Sequence, residues 1–200
     1  ILGIIPCGSG NGLARHLTLP LNPKEAIKRI NRFKTDTMDT GIFNDNLFLC
    51  TAGVGFEGEV SKLFSQSKKR GFVNYSKIVF KSYGKFESFE TNFNEDLLTF
   101  CIANASQYGN NTYIAPQASI QDGKLDIISL DKFNPINLPH IAWQLFRQKI
   151  DHNQKHSHRQ AEEIDISFSR ALPAHVDGEY IRETNRIIAS VQPNSLNIII

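Results

Sequence analysis

No apolar stretch in these 200 residues is long enough to cross a membrane as a helix, and no signal-peptide pattern precedes the first apolar run, Leu2 to Ile5. A surplus of charge is missing too. Lys and Arg number 22 against 20 Asp and Glu, a net +2, whereas a nucleic-acid partner requires a basic patch and a high isoelectric point. Cysteine is scarce: Cys7, Cys50 and Cys101 are odd in number, widely spaced and without a Cys-x-x-Cys pair. That argues against disulfides and zinc and suits packed thiols in a reducing compartment, Cys7 included. His152, His156 and His158 lie in a polar stretch without the framed helix and companion carboxylate of a metal site, and read as a solvated loop. There is no internal repeat and no low-complexity tract.

What is present starts with glycine. The run Leu2 to Ile5 feeds a loop with Gly8, Gly10 and Gly12, and a helical pattern follows at once. Such a strand-to-helix loop either cradles an anionic phosphate on backbone N–H groups or is a tight turn built on glycine's tolerance of positive φ. It is not a P-loop, because no Lys-Ser/Thr pair follows, and it lacks the spacing of a dinucleotide fingerprint. Asn22-Pro23-Lys24-Glu25 then reads as a capping-box-like helix start, with Ala26, Ile27, Ile30 and Phe33 at helical spacing.

Beyond Asp39 the pattern becomes mostly strands. Leu47 to Cys50, Leu97 to Ala103, the alternating Ile164, Ile166 and Phe168, Ile187 to Val191, and Leu196 to Ile200 are separated by Gly, Asn, Asp and Pro turns. This predicts an antiparallel sandwich or barrel-like domain. Two helices interrupt it. One, Phe72 to Phe86, carries Phe72, Tyr75, Val79, Tyr83 and Phe86 on one face and Lys77, Lys81 and Lys85 on the other, with Lys68-Lys69-Arg70 just before. The plain reading is an aromatic face on the sheet and a solvated basic face; the sharper one is a surface that meets anionic lipid head groups. The other helix, near Leu138 to Ile150, starts at Asn137 and Pro139 and reads as structural.

As a string, Pro6-Cys7-Gly8-Ser9-Gly10-Asn11 followed by Leu13-Ala14-Arg15 resembles the nucleotide-binding loop of the diacylglycerol kinase and sphingosine kinase superfamily. Two later segments fit that family in order: Ala115-Pro116 leading into Asp122-Gly123-Lys124-Leu125-Asp126, and Val176-Asp177-Gly178-Glu179. The resemblance spans the chain from Gly3 to its final strand. It implies an α+β fold, with residues 1–35 a remnant of an α/β nucleotide-binding domain and residues 36–200 an antiparallel β-sandwich domain. The family's upstream Gly-Gly-Asp-Gly-Thr stretch does not occur here. The expectation is therefore a C-terminal portion of a lipid kinase that shows no appreciable lipid phosphorylation by itself.

The resemblance also implies roles. Gly8, Ser9, Gly10 and Asn11 would hold the phosphates of ATP, with Mg2+ as the metal cofactor. Glu179 would be the general base for a lipid hydroxyl, pointing toward residues 8 to 11, and Asp177 would support nucleotide or metal. Without the resemblance, Asp177-Gly178-Glu179 is an ordinary hairpin turn. Asp122, with the carbonyls of Ser119 and Lys124, would bind a structural magnesium. Glu57, in Gly55-Phe56-Glu57, is either a ligand of the lipid head group or an exposed turn residue. Gly12, where many bacterial diacylglycerol kinases have aspartate, looks more like the sphingosine kinase branch. The expected partners are a lipid substrate, transiently a membrane surface and a second copy of the chain, but no nucleic acid, at a cytoplasmic, peripheral location. Two rivals remain: a non-catalytic lipid-binding module of the same fold, and an NAD-kinase-like soluble enzyme.

Overall fold

The computed structural model describes residues 1–200 except Arg70, Asn92 and Phe93, and of Asn94 and Glu95 it describes the backbone. Two helices come first, α1 (Gly12–His16) and α2 (Pro23–Asn31). α2 begins where its sequence dictates: Asn22 Oδ1 accepts from the Lys24 N–H at 2.9 Å and Pro23 opens the first turn. Glu25 does not close a capping box; it pairs with Lys28 at 2.8 Å instead.

The strands and helices that follow are β1 (Thr35–Phe43), β2 (Asn46–Phe48), β3 (Thr51–Gly55), α3 (Phe56–Gln66), α4 (Phe72–Tyr83), β4 (Phe89–Thr91), β5 (Asn94–Ala103), β6 (Gln107–Gly109) and β7 (Thr112–Tyr113). Then come β8 (Leu125–Asp131), α5 (Leu138–Phe146), β9 (His156–Ala161), β10 (Glu163–Val176) and β11 (Glu179–Ile199). β6 and β7 form a separate hairpin. The other nine strands make one antiparallel sheet in the order β2-β1-β11-β10-β3-β5-β8-β9, with β4 against β10 and β5. This is the mixed fold with an antiparallel, sandwich-like sheet that the strand pattern predicts.

Most apolar side chains of the sheet meet in one core, drawn from β1 (Phe43), β3 (Val54), β5 (Phe100), β8 (Ile127), β10 (Leu172) and β11 (Ile187), and capped by Tyr83 of α4 and Ile141 of α5. A smaller cluster of Leu13, Met38, Ala105, Ile120 and Ile198 fastens α1 to the sheet. Beside it sits a polar knot. Asp39 is fully buried in a register shift of β1, and its carboxylate accepts from Asn194 N at 2.7 Å and Gly123 N at 2.8 Å. The two apolar runs at the chain's end are thus one long strand, β11, bent at Gln192–Leu196 where Asp39 holds it.

Two sequence expectations change. Gly55-Phe56-Glu57 is no exposed turn but the start of α3, whose Phe56, Val60 and Phe64 recur at helical spacing. Glycines on both sides obscure that pattern. Gly55 takes φ 97° at the N-cap, and Gly58 lets the helix approach β10, where a methyl group would strike the Pro173 carbonyl. Nor do His156 and His158 lie in a solvated loop, although His152 is exposed. His156, His158 and Gln160 share one face of β9, and His158 Nε2 meets Asp126 Oδ1 at 2.6 Å while Gln160 reaches Asp122 and Asp126. Burial raises the Asp126 carboxyl, and the histidine offsets part of that shift.

Candidate active site

The glycine loop is a closed knot. Asn11 holds Gly8 from both sides, its Oδ1 accepting from Gly8 N and its Nδ2 donating to Gly8 O, each at 2.9 Å. The left-handed residue is Asn11, φ 51°, whereas Gly8, Gly10 and Gly12 do not need positive φ. Their smallness serves approach to protein instead. The Gly10 carbonyl accepts from Asn110 N at 2.9 Å and Arg15 Nε at 3.1 Å, and a methyl on Gly109 (φ 122°) would lie 2.8 Å from Gly10 Cα. The loop therefore docks on the β6–β7 hairpin. α1 is short, and its His16 Nδ1 accepts from the Ser106 N–H at 3.1 Å. Cys7, expected to be packed, is exposed.

The Asp-Gly turn between β10 and β11 has φ 49° at Asp177 and 83° at Gly178, the left-handed pair that suits a two-residue hairpin. The Asp177 carboxylate accepts from three consecutive amides, Leu49 at 2.9 Å, Cys50 at 2.7 Å and Thr51 at 3.1 Å. It thus ties the turn to the start of β3. Glu179 follows as the first, exposed residue of β11. In the sheet, Val176 pairs with Ala52 and Thr51 with Ala103. The Asp177 turn, residues 49–51 and the segment from Asn104 to Gly109 therefore gather at one end of the sheet, where the glycine loop also docks.

Glu57 is held in a different way. Gly53 on β3 lies between His175 of β10 and Cys101 of β5 in the strand register. Directly opposed residues share a face, so the missing side chain at Gly53 leaves a slot between them. The Glu57 carboxylate fills it; a methyl on Gly53 would strike Oε1. Glu57 is 8% exposed and His175 2%. The His175 Nδ1 accepts from Gly178 N at 3.2 Å, so its proton sits on Nε2, which faces Glu57 Oε2 at 3.3 Å. One imidazole thus links Glu57 to the turn that precedes Glu179. Neither oxygen of Glu57 completes a well-aligned hydrogen bond. Burial, then the Glu57 charge, pushes the Cys101 thiol well up. Burial, with Cys101 and Glu57 behind it, does the same to the Tyr108 phenol.

Glu57 borders a cavity of about 320 Å³ between α3, α4, α5 and the sheet, where Phe56, Val79, Leu98, Phe133, Ile141 and Leu145 supply apolar wall. Tyr75 also lines it, and burial with the Glu57 charge pushes its phenol up to about 12. Sequence reasoning misses His175, Tyr108, Tyr75 and Cys101. Only the Gly-x-Gly-Phe-Glu-Gly run hints at a strand and helix packed unusually close.

Asp122 is exposed, with Oδ1 taking Lys124 N at 3.1 Å and Oδ2 taking Gln160 Nε2 at 3.1 Å. Asp122 is the carboxylate expected to bind magnesium with the Ser119 and Lys124 carbonyls; both its oxygens already accept from protein donors, each keeping a second lone pair. Among the described residues no three His, Cys, Asp or Glu side chains gather as a metal site.

Known proteins bear on this arrangement. Residues 1–43 match the diacylglycerol kinase catalytic domain. A Synechocystis protein, uncharacterized protein sll0036, is 30% identical over 98% of this chain and 48% of its own length. A probable lipid kinase YegS-like of Pseudomonas aeruginosa is 25% identical over 98% of this chain and 67% of its own, and a diacylglycerol kinase of Staphylococcus carnosus 27% over 90% and 61%. The chain thus spans about half to two thirds of the length of these relatives. A putative diacylglycerol kinase of Bacillus anthracis shares the fold, with a TM-score of 0.73 at 19% identity over 98% of this chain and 67% of that one. Residues 55–200, most of the chain, match one family throughout: the chain belongs to the YegS C-terminal NAD kinase beta sandwich-like domain family.

Proposed function

We propose that the chain supplies the glycine loop and the lipid side of an ATP-dependent lipid kinase, acting on a lipid hydroxyl of the diacylglycerol or sphingoid type. The observation that carries this reading is the cavity. Its wall is mostly apolar, interrupted by one buried carboxylate, its tyrosines and the hydroxyls of Ser76, Thr99 and Thr112, and that carboxylate is linked through His175 to the turn before Glu179. Acyl chains fit such a wall, and a soluble dinucleotide has no use for it, which weighs against an NAD-kinase-like activity. Glu57, short of good hydrogen bonds, accepts from a hydroxyl or ammonium of the head group.

In the transfer, the lipid hydroxyl oxygen bonds to the γ-phosphorus as the bond to the β–γ bridging oxygen breaks. ADP leaves with that electron pair, and the hydroxyl proton passes to Glu179. Gly8, Ser9, Gly10 and Asn11 hold the nucleotide, and Asp177 keeps the turn in place rather than the phosphates. Magnesium would supply charge neutralisation at the phosphates; at Asp122, Ser119 and Lys124 it would brace the loop beneath Asp39.

Because the 200 residues contain no Gly-Gly-Asp-Gly-Thr stretch, we expect them alone to give no turnover, and the assay belongs to the full-length gene product. With labelled ATP and detergent-dispersed diacylglycerol or sphingosine it should yield a phosphorylated lipid. Lipid binding without any phosphorylated product would instead favour a non-catalytic lipid-binding module.

A further inference from the structure

The turn that precedes Glu179 is not fixed by its two strands alone. Ala174 of β10 pairs with Arg182 and His175 with Tyr180, so Ile181 has no partner opposite it in β10. A bulge of this kind interrupts the ladder and bends its strand just past Glu179. Other contacts therefore hold the turn. The Asp177 N–H donates to the Thr51 carbonyl at 2.7 Å, and the Asp177 carboxylate grips the amides of residues 49–51. Gly178, the residue next to Glu179, is held from the interior: its N–H donates to His175 Nδ1 at 3.2 Å.

His175 is 2% exposed, and burying an imidazole is costly unless its nitrogens are used. They are used for different tasks. Nδ1 is the acceptor for Gly178, so the ring proton sits on Nε2, which faces Glu57 Oε2 at 3.3 Å. A buried carboxylate on that side favours this tautomer. In the other tautomer Nδ1 would carry a hydrogen against the Gly178 N–H, and the turn would have to move away.

We infer that His175 is a positioning residue for Glu179: Glu57 fixes the tautomer of the ring, and the ring fixes the turn from which Glu179 projects. The inference rests on the lipid-kinase reading in naming Glu179 as the base. Losing the hold on Gly178 should lower turnover without weakening either substrate. A ring that merely fills space would instead be missed equally whichever of its nitrogens was replaced.

The test uses the full-length protein and two variants that each keep one contact. His175→Gln sets an amide nitrogen near the place of Nε2 and can still donate to Glu57, but it offers Gly178 no acceptor. His175→Asn sets an amide oxygen near the place of Nδ1 and still accepts from Gly178, but it does not reach Glu57. With labelled ATP and detergent-dispersed lipid, His175→Gln should lower kcat about tenfold, the scale of one lost hydrogen bond, with both KM values held. His175→Asn should recover kcat to within about threefold of the parent and raise the lipid KM about threefold instead. Amide hydrogen exchange without nucleotide or lipid reads the turn directly. Gly178 should be protected in the parent and in His175→Asn, and should exchange about tenfold faster in His175→Gln. The imidazole nitrogen resonances of the parent should show His175 protonated at Nε2 and bare at Nδ1. The opposite tautomer would overturn the proposal even if neither variant folded, as would two variants that lose turnover alike. Parent turnover with the same Gly178 exchange in all three proteins removes the positioning role alone. The expected exchange pattern with a parent that phosphorylates no lipid removes the kinase reading alone and leaves His175 holding the turn.

Discussion

The two regions of the candidate site are built by opposite means. At the glycine loop side chains are spent on holding backbone: the Asn11 amide closes on Gly8, Gly10 offers its carbonyl to Arg15 Nε and the Asn110 N–H, and the Asp177 carboxylate gathers three amides a short way off. At the cavity one buried carboxylate, Glu57, faces His175, Cys101 and two tyrosines yet completes no well-aligned hydrogen bond. In the proposed function this braced loop takes the phosphates, which every nucleotide shares. A buried carboxylate with spare acceptor capacity selects what may lie beside it, because a ligand lacking a donor there leaves it unpaired. The proposed function therefore makes affinity for nucleotide and choice of lipid separable.

The largest expected effect tests whether the two regions meet at Glu179. Glu179→Gln keeps size and removes the base, so turnover in the full-length protein should fall by about a hundredfold or more. The KM values for ATP and lipid should hold, since neither region is altered. Near-normal turnover at saturating substrates would remove Glu179 from the chemistry and leave the regions without a shared centre.

Next in size is a pair of glycine substitutions that strike one region each. In Gly58→Ala the new methyl meets the Pro173 carbonyl and presses α3 off β10, so the loss should be about 1–3 kcal/mol, read as a lower thermal midpoint and weaker lipid binding. In Gly109→Ala a residue with φ 122° is forced to carry a methyl against Gly10 Cα, straining the hairpin by about 1–3 kcal/mol. There the thermal midpoint should fall as well, by a few degrees per kcal/mol, but the KM that rises should be that for ATP and not that for lipid. Gly10 itself is a poorer probe than its motif suggests, because a methyl there lies 3.6 Å from its neighbours in ordinary contact. If both variants changed the same substrate's KM, the separation of the regions would fail.

The same contrast governs what the sequence discloses. The glycine loop and the Asp-Gly turn are contiguous strings, and the turn's φ values follow directly from its residues. The strands are legible where apolar residues alternate, as in β10. The Glu57 slot is not contiguous: it exists because Gly53, His175 and Cys101 fall in one register across three strands. No local pattern carries a register between β3, β5 and β10. α3 is hidden for a related reason, since Gly55 and Gly58, which allow its close packing, lower its helical signal. Asp39 reads as one more strand-start aspartate until the bend in β11 surrounds it.

The smallest expected effect measures the Glu57 charge directly. Glu57→Gln keeps an acceptor for His175 Nε2 but removes the negative charge from the slot. An apolar-walled site that loses a charged acceptor should bind a hydroxyl or ammonium head group about tenfold more weakly, as a higher lipid KM with the ATP KM unchanged. The tyrosines give a second readout that needs no substrate. Tyr75 stands at about 12, raised first by burial and then by Glu57. A phenol raised above its ordinary value stabilises the fold fully below that value and loses the contribution as pH climbs from about 10 through about 12. Removing the Glu57 charge leaves the burial and takes away the smaller cause. Tyr75 should then ionise at a somewhat lower pH in an ultraviolet titration, and the loss of stability over that window should become shallower. A tyrosine titration identical in the parent and in Glu57→Gln would mean that the carboxylate does not face the cavity as a charge, and the contrast between the two regions would collapse.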